Sequence, residues 1–186
     1  MTRDQAISTL VKDLLPRLTR GERESHLLGW WFIDASDAEH HSLPKRLRDA
    51  LVSSPDGPPD PENPEYDPLL RIALQYEFIG VTNTYLERRL LSLGQAATVT
   101  GAAEAMQRCP CCGYLSLQRR GEYDICGVCF WEDDGTEEEA KYSSPNHQTL
   151  GEARLNFERL GAVEPAFVDK VLPDGKERFS RGRFNS

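Results

Sequence analysis

Two short cysteine motifs decide the fold of the C-terminal half: Cys109-Pro110-Cys111-Cys112-Gly113 and Cys126-Gly127-Val128-Cys129. Each motif contains a cysteine pair at positions i and i+3, and thirteen residues separate the two pairs. Such pairs form two tight knuckles whose sulfurs converge on one tetrahedral ion. Gly113 permits the left-handed turn that a knuckle requires. The predicted metal ligands are Cys109, Cys112, Cys126 and Cys129.

The predicted ion is structural Zn²⁺. Thiolate is a soft ligand, and four thiolates suit zinc better than magnesium or calcium. Because four thiolates fill the tetrahedron, we expect the ion to stabilise the fold and to leave no position for water or substrate. All five cysteines lie within 21 consecutive positions, which favours a metal site over a disulfide framework. An iron–sulfur cluster, which four cysteines also hold, is the alternative.

The residues around the motifs predict a zinc-ribbon-like module. Tyr114, Leu115 and Leu117 precede a polar turn at residues 119–122, and Tyr123 and Ile125 follow it, which predicts a hairpin between the two knuckles.

A helix over residues 150–160 is expected next. Thr149 and Glu152 have capping-box spacing at its start, and Gly161 is expected to end it. Its apolar face, formed by Ala153, Phe157 and Leu160, should cover the ribbon.

The N-terminal half predicts helices. Apolar residues at three- and four-residue steps begin at Ile7, and Pro16 ends that first helix. Further helices are expected over residues 22–33, 44–52, 68–81 and 85–93, the last ended by Gly94. Residues 54–68 contain six prolines and five acidic residues, which predicts a surface loop.

The predicted fold class is therefore α+β, with a helical N-terminal domain followed by the ribbon and its covering helix. The predicted divisions are a helical domain at residues 1–95, a connector at 96–107, the cysteine domain at 108–162 and a C-terminal tail at 163–186. Flexibility is the default expectation for that tail.

Five stretches between residues 108 and 162 form a dense set of motifs. They are Arg108-Cys109-Pro110-Cys111-Cys112-Gly113-Tyr114-Leu115-Ser116-Leu117, Arg120-Gly121-Glu122-Tyr123-Asp124-Ile125-Cys126, Cys129-Phe130-Trp131-Glu132-Asp133-Asp134-Gly135, Pro145-Asn146-His147 and Leu150-Gly151-Glu152-Ala153-Arg154-Leu155-Asn156-Phe157. Together these stretches resemble the cysteine-rich CPCC family. One departure is Gly127, where proline is expected in many relatives; this loosens the second knuckle but removes no ligand.

The resemblance implies a small metal-binding domain and no particular reaction. Family members are often single small bacterial proteins, and some proteins of this kind accompany secreted toxins as immunity factors. The resemblance therefore implies a non-catalytic bacterial zinc protein that binds a partner protein. The expected partner is a cognate toxin or effector, whose active or nucleic-acid-binding surface the protein would block.

Six acidic residues occupy the eight positions 132–139, which follow the second motif after Phe130 and Trp131. A solvated loop is the simpler interpretation of such a run. The functional interpretation is an acidic patch that occupies the basic cleft of a partner enzyme, with complementary charge speeding the encounter and an aromatic anchor beside it. The predicted partner-binding residues are Trp131, Glu132, Asp133, Asp134, Glu137, Glu138 and Glu139.

Composition and charge argue against several classes of protein. The 186 residues are 39% hydrophobic and 28% charged, so the chain can bury a core. With a net charge of −8, the protein lacks the broad positive field of nonspecific nucleic-acid or membrane binders. The longest apolar run, residues 27–33, is far too short to span a bilayer. The N-terminus lacks the apolar region of a signal peptide. The expected location is the cytoplasm.

Two other functions stay open. A nucleic-acid-binding zinc ribbon would use Arg119, Arg120 and the basic aromatic segment at residues 176–184, against the acidic net charge. That segment could instead fold over the acidic run of its own chain. An enzyme would use Cys111 beside His147, but no orienting partner is evident nearby. The sequence contains no phosphate-binding glycine loop, Ser-His-Asp set or paired-carboxylate motif, and it predicts no catalytic residue.

Overall fold

A computed structural model describes residues 1–182. The chain divides into two compact units. The helical unit comprises Met1–Ile79 and Leu86–Gly101, and the cysteine unit comprises Gly80–Tyr85 and the described residues from Ala102 onward. Eight α-helices and two two-stranded antiparallel sheets lie within residues 1–182, which confirms the α+β class.

The helices of the N-terminal half are short and closely spaced. They are α1 (Arg3–Leu14), α2 (Arg20–Trp30), α3 (Ala38–Ser42), α4 (Lys45–Ser53) and α5 (Asp67–Tyr76), followed by α6 (Asn83–Ser92), which includes residues of both units. Short 3₁₀ turns lie at Leu15–Arg17 and Pro64–Tyr66. None of the helices in the described part of the chain has the length and apolar character needed to cross a membrane.

Local chemistry sets where several helices begin and end. Thr2 and Thr19 form capping boxes at the starts of α1 and α2, which satisfies backbone N–H groups that lack a helical partner. The predicted helix over residues 68–81 is too long, because α5 ends at Tyr76 and the chain turns at Gly80 with φ +71°. Helix α3 was missed, since its sequence has no apolar periodicity.

The core of the helical unit is built around α5. This helix contacts α1 and α2 and buries Leu69, Leu70 and Leu74 almost completely. Trp31 is also buried, and its indole N–H donates to the Ser54 carbonyl at 2.6 Å.

The proline-rich acidic segment is fastened to α2. Arg20 forms ion pairs with Asp60 and Glu62, each at 3.0 Å. The Nε of Arg23 donates to the Pro61 carbonyl at 2.7 Å. Within the predicted loop at residues 54–68, Pro64–Tyr66 form a 3₁₀ turn, and α5 begins at Asp67, one residue before the predicted helix start.

The described part of the cysteine unit contains four very short strands and two complete α-helices, besides the start of α6 and a 3₁₀ turn at Pro165–Phe167. They are β1 (Gln107–Arg108), β2 (Leu115–Leu117), β3 (Tyr142–Ser143), β4 (Gln148–Thr149), α7 (Leu150–Leu160) and α8 (Gly175–Arg178). Strand β1 pairs antiparallel with β2, and β3 pairs antiparallel with β4.

The predicted hairpin between the knuckles is wrong. Strand β2 pairs with β1, which precedes the first motif, and Ile125 instead forms a bridge with Glu132, which follows the second motif. Each cysteine pair therefore closes its own small hairpin. The physical reason is that a knuckle turns the chain back on itself, so the residues flanking each motif are brought face to face.

Helix α7 matches its prediction closely. Thr149 and Glu152 form the capping box, and Gly161 ends the helix with φ +81°. Ala153 and Phe157 pack with the cysteines as expected. Leu160 does not, since it is 38% exposed, and Leu150 packs there in addition.

Candidate metal centre

The first knuckle is closed by two backbone hydrogen bonds. The N–H of Gly113 donates to the Cys109 carbonyl at 3.0 Å, and the N–H of Cys109 donates to the Tyr114 carbonyl at 2.9 Å. Gly113 has φ +81°, which confirms the predicted left-handed turn. The loop between the cysteines is thus held so that both sulfurs point to the same side.

The second knuckle is closed by the same two backbone hydrogen bonds at equivalent positions. The N–H of Phe130 donates to the Cys126 carbonyl at 2.8 Å, and the N–H of Cys126 donates to the Trp131 carbonyl at 2.9 Å. Phe130 therefore corresponds to Gly113, and it adopts φ +69°. A residue with a Cβ is strained in this region, so something must hold Phe130 there.

That strain is offset by ring packing. The Phe130 ring lies 4.3 Å from the Phe167 ring, centroid to centroid, at an interplanar angle of 32°. Both rings pack against the buried cluster that contains the cysteines.

Replacing Phe130 tests this balance. We expect Phe130→Gly to be more stable than Phe130→Ala by about 1 kcal/mol, because only the alanine variant keeps the left-handed strain. Both should be less stable than the native chain, since both lose the contact with Phe167. Thermal unfolding with zinc present measures the order. Gly113→Ala is the matched reverse change and should be destabilising; equal stability of the two Phe130 variants would contradict the strain.

The four predicted ligand sulfurs come together. All ligand atoms of Cys109, Cys112, Cys126 and Cys129 lie within 4.8 Å of one another. The Sγ atoms of Cys109 and Cys129 are 3.6 Å apart, as are those of Cys112 and Cys126. Four sulfurs about 2.3 Å from a zinc ion at the centre of a tetrahedron lie about 3.8 Å from each other. The spacing therefore suits one such ion, and it is too long for a disulfide.

Burial and mutual hydrogen bonding separate the pKa values of the four thiols. Burial, as the largest cause, raises the pKa of Cys109 and Cys129 well above its ordinary value. A hydrogen bond from Cys109 acts to lower the pKa of Cys112, but bonding to Cys126 and Cys129, with burial, raises it overall. Burial also opposes ionisation of Cys126, yet hydrogen bonds from the other three thiols and from Ser116 lower its pKa well below the ordinary value. Ionising all four sulfurs together thus requires a cation.

An apolar core surrounds the sulfurs. The cysteines, all at or near zero exposure, pack in one cluster with side chains from both knuckles and from α7. The cluster includes Leu117, Val128, Trp131, Leu150, Ala153, Phe157 and Val163. Water is therefore kept from the sulfurs, which strengthens any metal–thiolate attraction.

The segment after α7 lies across both knuckles. On the second knuckle, the N–H of Val163 donates to the Cys129 carbonyl and the N–H of Leu172 to the Gly127 carbonyl, both at 2.8 Å. A Cβ on Gly127 would lie 2.8 Å from the Leu172 side chain, so this close approach suits glycine better than the proline expected in relatives.

On the first knuckle the same segment forms an isolated antiparallel bridge between Tyr114 and Arg181. The N–H of Leu115 donates to the Ser180 carbonyl at 2.9 Å, and the N–H of Gly182 donates to the Gly113 carbonyl at 2.8 Å. The Nε of Arg181 reaches the Cys112 carbonyl at 3.2 Å. The expected flexible tail is therefore packed over residues 163–182, because its N–H groups find partners on the knuckles. Arg183 and Phe184 lie outside the described residues.

Cys111 and His147 take no part in the four-sulfur set. Cys111 is 3% exposed. His147 is exposed and adopts φ +52° in the turn between β3 and β4. Among residues 1–182, the four cysteines are the one group of ligand-type side chains close enough to share an ion.

Two of the predicted partner-binding residues are internal. Trp131 and Asp133 are both fully buried. Asp133 accepts hydrogen bonds at its Oδ2 from the Arg120 Nε at 2.8 Å and from the Gly121 N–H at 2.7 Å. The assignment of Trp131 and Asp133 to an exposed partner surface is therefore wrong. The chain leaving the second knuckle turns these two alternate residues inward.

The other acidic residues differ in exposure. Glu132 and Asp134 are half-buried, while Glu137, Glu138 and Glu139 are exposed. Glu137 pairs with Arg120 at 3.3 Å, and Glu139 pairs with Arg154. The acidic surface that solvent reaches is therefore smaller than the sequence suggests.

Asn146 has a role that its sequence position did not indicate. Its Oδ1 accepts from the Glu132 N–H at 2.9 Å, and its Nδ2 donates to the Glu132 carbonyl at 2.8 Å. Nδ2 also donates to the Ser143 hydroxyl at 2.7 Å. A side-chain amide thus takes the place of a neighbouring strand along the second knuckle. Only the tertiary fold brings residues 132 and 146 together.

Comparison with known proteins gives a match within the cysteine unit. No curated protein and no solved structure matches this chain. The resemblance inferred from the motifs is confirmed by one family match, which covers less than half of the chain. That match extends past α7 to include the segment that packs on the second knuckle. Residues 107–177 match the family model described as Cysteine-rich CPCC, and in this segment the chain is similar to that family.

Proposed function

We propose that this protein holds one structural Zn²⁺ ion through Cys109, Cys112, Cys126 and Cys129, and that it acts by binding a partner protein rather than by catalysis. The observation that supports this most is the closed set of four buried sulfurs. Four thiolates occupy every position of a tetrahedral zinc ion, so no position remains for substrate.

Zinc fits these sulfurs better than an iron–sulfur cluster does. A cluster inserts several iron and sulfide atoms between its cysteine ligands and needs the sulfurs further apart. Here the four ligand atoms lie within 4.8 Å of one another, which leaves room for a single ion. Elemental analysis of the purified chain tests this, with one zinc per chain expected and iron with acid-labile sulfide as the contrary result.

The proposed partner is a cognate bacterial toxin or effector that is blocked at its active or nucleic-acid-binding surface. The net charge of −8 supports a basic partner surface, because opposite charges speed association. Glu137, Glu138 and Glu139 are the exposed acids of the predicted patch, and we assign the contact to them, flanked by Glu132 and Asp134. Co-expression with any toxin encoded beside its gene should protect the cell.

Reversing charge on the exposed acids should weaken partner binding. We expect the triple variant Glu137→Lys, Glu138→Lys, Glu139→Lys to slow association with that toxin at least about tenfold at low salt, because steering depends on complementary charge. Surface plasmon resonance at several salt concentrations measures the effect. The matched control, Glu24→Lys, Asp56→Lys, Glu158→Lys, makes the same change in net charge at exposed sites elsewhere. Equal slowing in both variants would argue against a local contact surface.

The two alternative functions receive less support. For a nucleic-acid-binding ribbon, Arg120 is already paired with Asp133 and Glu137, and Arg181 donates to the Cys112 carbonyl. For a cysteine enzyme, Cys111 is buried, whereas a reactive thiolate needs access to its substrate. We therefore propose no catalytic residue.

A further inference from the structure

A serine hydroxyl lies against one of the four sulfurs. Ser116, in the middle of β2, places its Oγ 3.1 Å from the Sγ of Cys126. Strand β2 belongs to the first knuckle and Cys126 begins the second, so this contact connects the two knuckles beside the ion site.

The hydroxyl has one proton to donate, and the sulfur is its better acceptor. The other acceptor nearby is the Tyr114 carbonyl, 3.5 Å away, at the long limit for a hydrogen bond. That carbonyl already accepts the N–H of Cys109 at 2.9 Å. A metal-bound sulfur carries negative charge, and hydrogen bonds to charged acceptors are stronger than those to neutral ones.

We propose that Ser116 is a positioning residue of the metal centre: its hydroxyl donates to the Cys126 sulfur, fixes the direction of that ligand and slows release of the ion. The proposal rests on the zinc site proposed above and adds a residue outside the four ligands. Partners of metal ligands of this kind typically change metal affinity 10- to 100-fold when they are removed.

The variants Ser116→Val and Ser116→Thr provide a matched test, because their side chains have nearly the same shape and differ by the hydroxyl. In the full chain loaded with zinc, we expect the valine variant to bind zinc about 10- to 100-fold more weakly, by competition with a chelator of known affinity. The threonine variant should remain within about threefold of the native chain. The rate of zinc transfer to a chromogenic chelator should be higher for the valine variant than for the threonine variant and the native chain.

A spectroscopic measurement separates positioning from general loosening. With Co²⁺ in place of zinc, removal of the hydrogen bond should shift the thiolate-to-cobalt charge-transfer band in the valine variant and leave it unshifted in the threonine variant. Ser144→Ala removes an exposed hydroxyl of the same unit and should match the native chain. If valine does not fold, Ser116→Ala takes its place against threonine.

The outcomes are distinct for the two proposals. Equal zinc affinity and equal cobalt spectra in the valine and threonine variants would overturn the role of Ser116 while leaving the zinc site in place. A native chain that holds no zinc after loading would overturn the zinc site itself.

Discussion

The Cys112→Ser variant is expected to purify with less than one zinc per chain and with an unfolded cysteine unit. A hydroxyl is a poor substitute for thiolate, so the ion would keep only three of its four sulfurs. Structural zinc contributes on the order of 10–16 kcal/mol of apparent folding free energy in zinc-finger peptides, which is as large as the whole stability of a typical domain. The helical unit contains no cysteine and should stay folded.

Elemental analysis and hydrogen exchange measured unit by unit check this result. Cys111→Ser is the matched control, because Cys111 is equally buried but lies outside the four-sulfur set. That control should keep one zinc per chain. Zinc loss of the same size in both variants, or full zinc in Cys112→Ser, would contradict the assigned ligand set. Treatment of the native chain with a strong chelator should reproduce the Cys112→Ser phenotype.

Asp133→Ala is expected to destabilise the cysteine unit by about 3 kcal/mol without acting on a partner directly. The substitution leaves the Arg120 guanidinium and the Gly121 N–H without their shared acceptor, and breaking a buried ion pair from one side costs about 3–5 kcal/mol. We expect the lower end of this energy range because the Arg120 side chain is 25% exposed. Thermal or urea unfolding at fixed zinc concentration measures the loss.

Asp133→Asn is the comparison for this prediction. Asparagine keeps an oxygen that can accept the Gly121 N–H but removes the charge that pairs with Arg120, so its loss should be smaller than that of alanine. Glu138→Ala, at an exposed acid of the same run, should leave stability nearly unchanged. If the Asp133→Ala variant were as stable as the native chain but bound the partner weakly, the prediction would be contradicted and Asp133 would belong to the contact surface.

The metal ligands and the ends of α7 could be predicted because their signals are local. A cysteine pair at i and i+3 fixes a knuckle by itself, and Gly113 shows directly that a left-handed residue follows. The same holds for the capping box of Thr149 and Glu152 and for Gly161. In each case the interacting groups are within four residues of each other, so the chain around them decides the structure.

Strand pairing and the burial of the acidic run could not be predicted in the same way. The alternation around residues 114–125 fits a hairpin, but the hydrogen bonds that close each knuckle commit β2 to β1 and Ile125 to Glu132. Asp133 looks like its neighbours in sequence, and its burial depends on Arg120, thirteen residues away. Ser116 likewise gains its role only when the second knuckle folds beside β2.

Arginines around the first knuckle bear on which ion the site prefers. Four thiolates around a divalent cation leave two negative charges in excess, held in an apolar interior. The Nε of Arg154 donates to the Pro110 carbonyl at 3.0 Å, and that of Arg181 to the Cys112 carbonyl at 3.2 Å, so both guanidinium groups are held on the backbone of the first knuckle. A monovalent ion such as Cu⁺ would leave three negative charges among the four thiolates, one more than a dication leaves, and an apolar interior disfavours each additional charge.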